Sequence, residues 1–258
     1  MIPAIVRKRA SNLGDIQEIS SSICDNDLLR VSALIDSGFD VNSELIGKNE
    51  LNPIMHAIEQ DRPEVVALLA ASGANVNHVF SEQRTSLTCA IALRCAQCVK
   101  ALLDGGADPN TPGKNGKLAL YFALLHPGPD NQAMTHMLLQ AGASLSAFKA
   151  LEGQSAVDRC VELGHLHLLK IITSHDQGSD FNLTAYETSL KKAILVNRRI
   201  ANGHVTATPN RTQSSLEIES HLRAFVDVTR ADRAIEKLMA ESVTKQKRAT
   251  APGKQCVP

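Results

Sequence analysis

The sequence predicts an all-α fold, a solenoid of about five helix-turn-helix units followed by a C-terminal helical extension. Two observations carry that prediction. One phrase recurs: "ALIDSGFDVN" ends at Asn42, "LLAASGANVN" at Asn77, "ALLDGGADPN" at Asn110 and "MLLQAGASLS" at Ser146. Gly73 and Gly106 are 33 residues apart, as are Asn77 and Asn110, and a fixed period of that size describes an architecture built of stacked units. The second observation is composition. Apolar residues make up 43% of the 258-residue chain, aromatics only 3%, and Trp is absent, which suits small helical units better than a deep cofactor pocket.

Each unit reads the same way from its residues. Asn52 caps a short helix, "NPIMHAIEQ", with Pro53 in the first turn. A second helix, "PEVVALLAAS", follows, with Val65, Val66, Leu68 and Leu69 forming an apolar stripe. The glycine after it fits a left-handed helix end. A single helix pair cannot bury its own apolar face, so units must lean on one another.

These units resemble ankyrin repeats. The family's T-P-L-H-x-A slot is filled by "NPIMHA" (52–57), "TSLTCA" (85–90), "LALYFA" (118–123) and "SAVDRC" (155–160), and "QEISSSICDNDLLRVSALIDSGFDVN" resembles a degenerate opening unit. The resemblance covers residues 16–178, in units of about 16–42, 43–77, 78–110, 111–146 and 147–178. Residues 1–15 precede the array as a leader. The fourth unit inserts "HPGPDNQ" (126–132), where Pro127 and Pro129 are expected to lengthen the loop.

Beyond the array, 179–203 is expected to be a capping helix, with Thr184 and Glu187 as its capping box. Residues 204–242 read as a loop and a long amphipathic helix starting at Ser214 and Glu217, which either docks on its own array or meets a partner. The tail 243–258 carries four basic residues, no acid and two prolines, a composition that favours disorder.

Function classes narrow accordingly. Lys+Arg and Asp+Glu both number 27, so no global field draws in nucleic acid. No apolar run is long enough for membrane insertion, and "MIPAIVRKRA" lacks a signal peptide's apolar core. Six scattered cysteines point to reduced thiols and a cytoplasmic setting. No catalytic, metal or cofactor site is expected, nor a small-molecule substrate. "CAQC" (95–98) places Cys98 in an apolar helix slot, with no second ligand pair nearby in sequence for zinc. In "GHLHLL", His165 is expected to be structural and His167 to face outward.

The resemblance implies a non-enzymatic module that binds another protein on the concave side of the array. Position by position, its fingers would offer Lys48, Asn49, Leu51, Ser81, Glu82, Arg84, Lys114, Asn115 and Lys117. Its first helices would offer Glu59, Gln60, Leu93, Leu125, His126, Glu162 and Leu163. Leu93, Leu125 and Leu163 share one slot in consecutive units and would form an apolar strip beside Lys114 and Lys117. Leu69 stands eight residues ahead of Asn77, the spacing that in this family guides asparagine hydroxylation, so Asn77 is a candidate acceptor. Arrays with short unrelated extensions are also similar to bacterial effectors delivered into a host cytosol. A further alternative puts an enzyme-linked activity in 205–258.

Overall fold

The computed structural model describes residues 13–45, 51–80, 84–113, 116–126, 128–175, 183–202, 213–231 and 234. Lys48, Asn49, Ser81, Glu82, Lys114, Asn115 and the tail 243–258 lie outside them. The chain divides into two compact units, Met1–Asp180 and Phe181–Pro258.

The first unit is a stack of helix pairs: α1 (Leu13–Cys24) with α2 (Leu28–Asp36), α3 (Pro53–Glu59) with α4 (Pro63–Ala71), and α5 (Ser86–Ala92) with α6 (Ala96–Asp104). Then come α7 (Ala119–Ala123) with α8 (Pro129–Gln140), and α10 (Ala156–Leu163) with α11 (Leu166–His175). First helices pack on first helices, α1 on α3, α3 on α5 and α5 on α7; second helices form a parallel row, α2 on α4, α4 on α6, α6 on α8 and α8 on α11. Between the rows lies an aliphatic core in which Ile54, Ile58, Val65, Val66, Leu69, Val99, Leu102, Met134 and Leu138 are fully buried. Each such side chain contributes about 1.5–3 kcal/mol by leaving water.

Local chemistry sets the ends of these helices. Asn52 Oδ1 accepts from the Met55 amide at 3.0 Å, and Pro53 occupies the first turn, as the sequence predicts. Thr85 and Thr88 cap α5 reciprocally. The second helices α2, α4, α6 and α8 each close on a residue that folds back over a left-handed glycine: Ala74 N–H, for example, donates to Leu69 O at 3.0 Å across Gly73, and Ala107 N–H to Leu102 O at 2.9 Å across Gly106. Within four of the five pairs the turn is equally repetitive, with Asn26, Asp61, Arg94 and Gly164 all at positive φ; the pair α7–α8, which carries the insertion, departs from it. Fingers close at their bases. Leu45 N–H donates to Leu51 O at 2.7 Å, Phe80 N–H to Arg84 O at 2.8 Å and Gly113 N–H to Lys117 O at 2.9 Å.

Two segments differ from expectation. The 126–132 insertion does not simply lengthen a loop: Pro129 sits in the first turn of α8, where its missing N–H costs nothing, and Asn131 is buried with its Nδ2 donating to Ala123 O at 2.9 Å. Between the fourth and fifth pairs stands an extra helix, α9 (Leu145–Glu152). Ser144 caps it by accepting from the Ala147 amide at 3.1 Å, and Phe148 anchors it in full burial. "SLSAFKALE" contains no glycine or proline to make a tight finger, so helix formation prevails there.

In the second unit, α12 (Leu183–Ala201) and α13 (213–231) form an antiparallel hairpin. Near one end Arg230 Nε donates to Glu187 Oε1 at 2.9 Å and the Tyr186 and Phe225 rings lie 4.9 Å apart. Toward the other, Asn197 Nδ2 donates to Ser215 O at 3.2 Å and Glu219 Oε2 at 2.6 Å. The expected capping roles of Glu187 and Glu217 are replaced by side-chain pairing: Glu187 holds Arg230, and Glu217 accepts from Gln213 Nε2 at 2.7 Å within a helix already formed at 213.

Candidate protein-binding face

Two consecutive first helices, α3 and α5, bring Glu59, Arg84 and Leu93 together. Glu59 ends α3, Arg84 closes the finger ahead of α5, and Leu93 follows the last turn of α5. With Thr88, Cys89, Ala92 and Phe122 of α7 they line a mainly apolar hollow of about 270 Å³. Leu93 is 54% exposed at the mouth of this hollow. Arg84 is half-buried with a buried Nε that has no hydrogen-bond acceptor. Its charge also acts on the adjacent Cys89 thiol: burial pushes that thiol's pKa up, Arg84 opposes the rise and Glu59 adds to it. The hollow therefore offers apolar walls with one cationic group, Arg84, and one anionic group, Glu59, at its edge; the unpaired Arg84 Nε suits a partner carbonyl or carboxylate beside an apolar side chain.

The remaining expected residues are placed as follows. Gln60, Leu125 and Leu163 are half-buried, whereas Glu59, His126 and Glu162 are exposed. The leucine strip is thus open at Leu93 and partly covered at the other two positions. Leu51 does not belong on the binding surface. It is only 6% exposed, because its carbonyl accepts from Leu45 and pulls the finger base into the core. Lys117 is not a free basic flank either. It is paired with Glu152, whose side chain is 3% exposed, and its Nζ stands 4.3 Å over the Tyr121 ring. Sequence reasoning missed Thr88, Cys89 and Phe122 as part of the site. Phe122 occupies a slot of the short-helix pattern that reads as generic packing, and only the stacking of α7 on α5 brings it to the hollow.

His165 is 8% exposed and its Nδ1 donates to Leu124 O at 3.1 Å, the structural role the sequence implies, while His167 is exposed. Asn77 is exposed yet bonded at both ends of its amide to the following unit.

Comparison with known proteins agrees with the repeat fold. A family model described as ankyrin repeats (3 copies) matches residues 20–113. Residues 20–113 therefore match ankyrin repeats, and the stacked helix pairs are consistent with an ankyrin-repeat solenoid. Among relatives, the chain is 27% identical over 141 residues to the B-cell lymphoma 3 protein homolog of Mus musculus, covering 53% of this chain and 30% of that protein. It is 28% identical over 126 residues to an ankyrin repeat-containing protein of Treponema pallidum (strain Nichols), covering 48% and 40%. A third match, 28% identical over 143 residues, is to the ankyrin repeat protein YahD of Escherichia coli (strain K12), covering 55% and 69%. The chain thus spans well under half of the first two relatives. Ankyrin repeats generally serve as protein–protein interaction modules, and no helix among the described residues is long and apolar enough to cross a membrane.

Proposed function

We propose that this ankyrin-repeat protein is a non-enzymatic binding module that captures a segment of another protein on the concave face, with the hollow between α3, α5 and α7 as its centre. The observation that supports this reading is the exposed Leu93 beside the acceptor-free Nε of Arg84, on the walls of one cavity. An apolar side chain of the partner would fill the hollow, and a partner carbonyl or carboxylate would satisfy Arg84, removing the cost of a buried donor left unpaired. Glu59, His126 and Glu162 would form the polar rim, which sets specificity more than affinity.

The test is selection of binding peptides from a random library on the intact chain, followed by affinity measurement on variants. Peptides that engage this face lose most affinity on Leu93→Asp and on Arg84→Gln, and keep it on Gln97→Asp, an exposed change on α6. Selected peptides indifferent to Leu93 and Arg84 would place the interface elsewhere.

A further inference from the structure

Two thiols and a carboxylate from neighbouring repeats converge outside the binding face. Cys95 is the cap of α6, and its Sγ accepts from the Cys98 amide at 3.0 Å. One unit earlier, Asp61 occupies the turn between α3 and α4 at φ +53°. Its Oδ1 lies 4.0 Å from Cys98 Sγ, and the two sulfurs and a carboxylate oxygen all fall within 4.8 Å of one another. Both cysteines are buried, whereas Asp61 is exposed.

The repeat register explains how the cluster arises. In the second and fifth pairs the side chain of the residue after the left-handed turn reaches back to the preceding unit. Arg62 Nη2 donates to Cys24 O at 2.8 Å, and His165 Nδ1 to Leu124 O at 3.1 Å. In the third unit this slot holds Cys95, too short for that reach, so its sulfur caps its own helix instead. The turn residue of the second unit, Asp61, then faces two sulfurs rather than a long cationic or imidazole side chain.

We propose that Asp61, Cys95 and Cys98 form a binding site for a thiophilic divalent cation of the zinc class, clamping the second repeat to the third. A tetrahedral zinc centre with its usual bond lengths sets its ligand atoms about 3.5–3.8 Å apart, so contraction by roughly 1 Å, within reach of side-chain rotation, closes the three atoms around the ion. Two sulfurs exclude calcium and magnesium, which take oxygen ligands. The exposed side of Asp61 leaves the fourth position to water. Three anionic ligands around one dication leave an excess negative charge, and the positive end of α6 with the Cys98 amide is placed to offset it at Cys95. The ion displaces the thiol protons as it binds. No reaction at the ion is implied; the site is a cross-brace.

The experiment uses the full chain with Cys256→Ser, reduced by a phosphine so that no added thiol competes, and Co²⁺ as a spectroscopic probe. The expected result is one Co²⁺ per chain with thiolate-to-metal charge transfer, displaced by Zn²⁺. Cys98→Ala should abolish the charge-transfer band, and Asp61→Asn should weaken Zn²⁺ binding on the order of tenfold or more while keeping the band. Asparagine tolerates the left-handed turn, so Asp61→Asn leaves the fold intact and decides the matter even where Cys98→Ala lowers the melting point. Absence of charge transfer in the reduced parent chain overturns the proposal. So does Zn²⁺ affinity unchanged by Asp61→Asn.

Discussion

Asn77 Nδ2 donates to the carbonyl of Gly106 at 3.1 Å, and Asn77 Oδ1 accepts from the amide of Asp108 at 2.8 Å. One side chain thereby spans two repeats and satisfies two backbone groups beside the next helix end. The strut recurs. Asn42 bonds Gly73 O at 3.2 Å and the Asn75 amide at 2.7 Å, and Asn110 bonds Gly142 O at 3.0 Å and the Ser144 amide at 2.8 Å. The asparagine that closes each sequence phrase is therefore a connector between units, and its period is the period of the solenoid.

Asn77→Ala should destabilise the array by about 1–2 kcal/mol, the scale of two partly solvated hydrogen bonds. Urea unfolding followed by circular dichroism measures it; a midpoint equal to the parent's would deny Asn77 its connecting role. A hydroxyl group added at Cβ, the modification its spacing from Leu69 suggests, would leave both amide bonds in place. Hydroxylation is thus expected to be far milder than truncation.

Gly105 and Gly106 are adjacent but constrained for different reasons. Gly106 has φ +87° and open space around a built Cβ, so its requirement is purely conformational. Gly105 has an ordinary φ of −80°, yet a Cβ there would lie 2.7 Å from Ala70 Cβ on α4. Both Gly105→Ala and Gly106→Ala should cost about 1–3 kcal/mol. Only the first should be relieved by Ala70→Gly, which removes the colliding atom. A double-mutant cycle by thermal or urea unfolding reads the difference: equal response of both glycines to Ala70→Gly would contradict the assigned causes.

The repeats were legible because they rest on short-range rules repeated many times: Pro53 after a capping asparagine, a glycine after "VALLAAS", an asparagine four residues further on. The binding face was legible only by slot. Glu59, Arg84 and Leu93 follow from register, but Leu51 and Lys117 do not, since whether a finger residue faces solvent depends on partners, Leu45 and Glu152, that register does not supply. The extra helix α9 was invisible for a related reason: the repeat pattern imposes a finger after Ser146, and the local helix signal of Ser144 and Phe148 overrides it. The cluster at Cys95 required Asp61, a turn residue in another unit, so no local motif could contain it.

His165 makes stability depend on pH in a defined direction. Burial lowers its pKa from the ordinary 6.5, with nearby His126 and Arg159 adding to the effect and the Leu124 carbonyl opposing it. The folded state therefore holds fewer protons at this site than the unfolded chain. Its contribution is whole above pH 6.5 and is lost as pH falls from there toward the lower folded value. The melting midpoint should drop as pH falls below about 6.5, and His165→Gln should make that drop shallower. Parallel pH profiles for parent and variant would exclude His165 as a source of the slope.

The three leucines at one slot should separate by exposure. Leu93, 54% exposed, should accept Asp with a change in stability within about 0.5 kcal/mol, the usual limit for a surface position. Leu125 and Leu163 are half-buried, and a carboxylate at either loses apolar contact and is partly desolvated, so each should cost about 1–3 kcal/mol. Melting curves of the three single variants test that order. The order matters for function, because a triple variant would confuse lost binding with lost fold, whereas Leu93→Asp alone removes the apolar rim of the hollow and places a carboxylate near Glu59. Partner peptides should then dissociate faster while the midpoint stays put. A Leu93→Asp chain that unfolds like the other two would mean that the hollow is part of the core and that binding must be sought on another face.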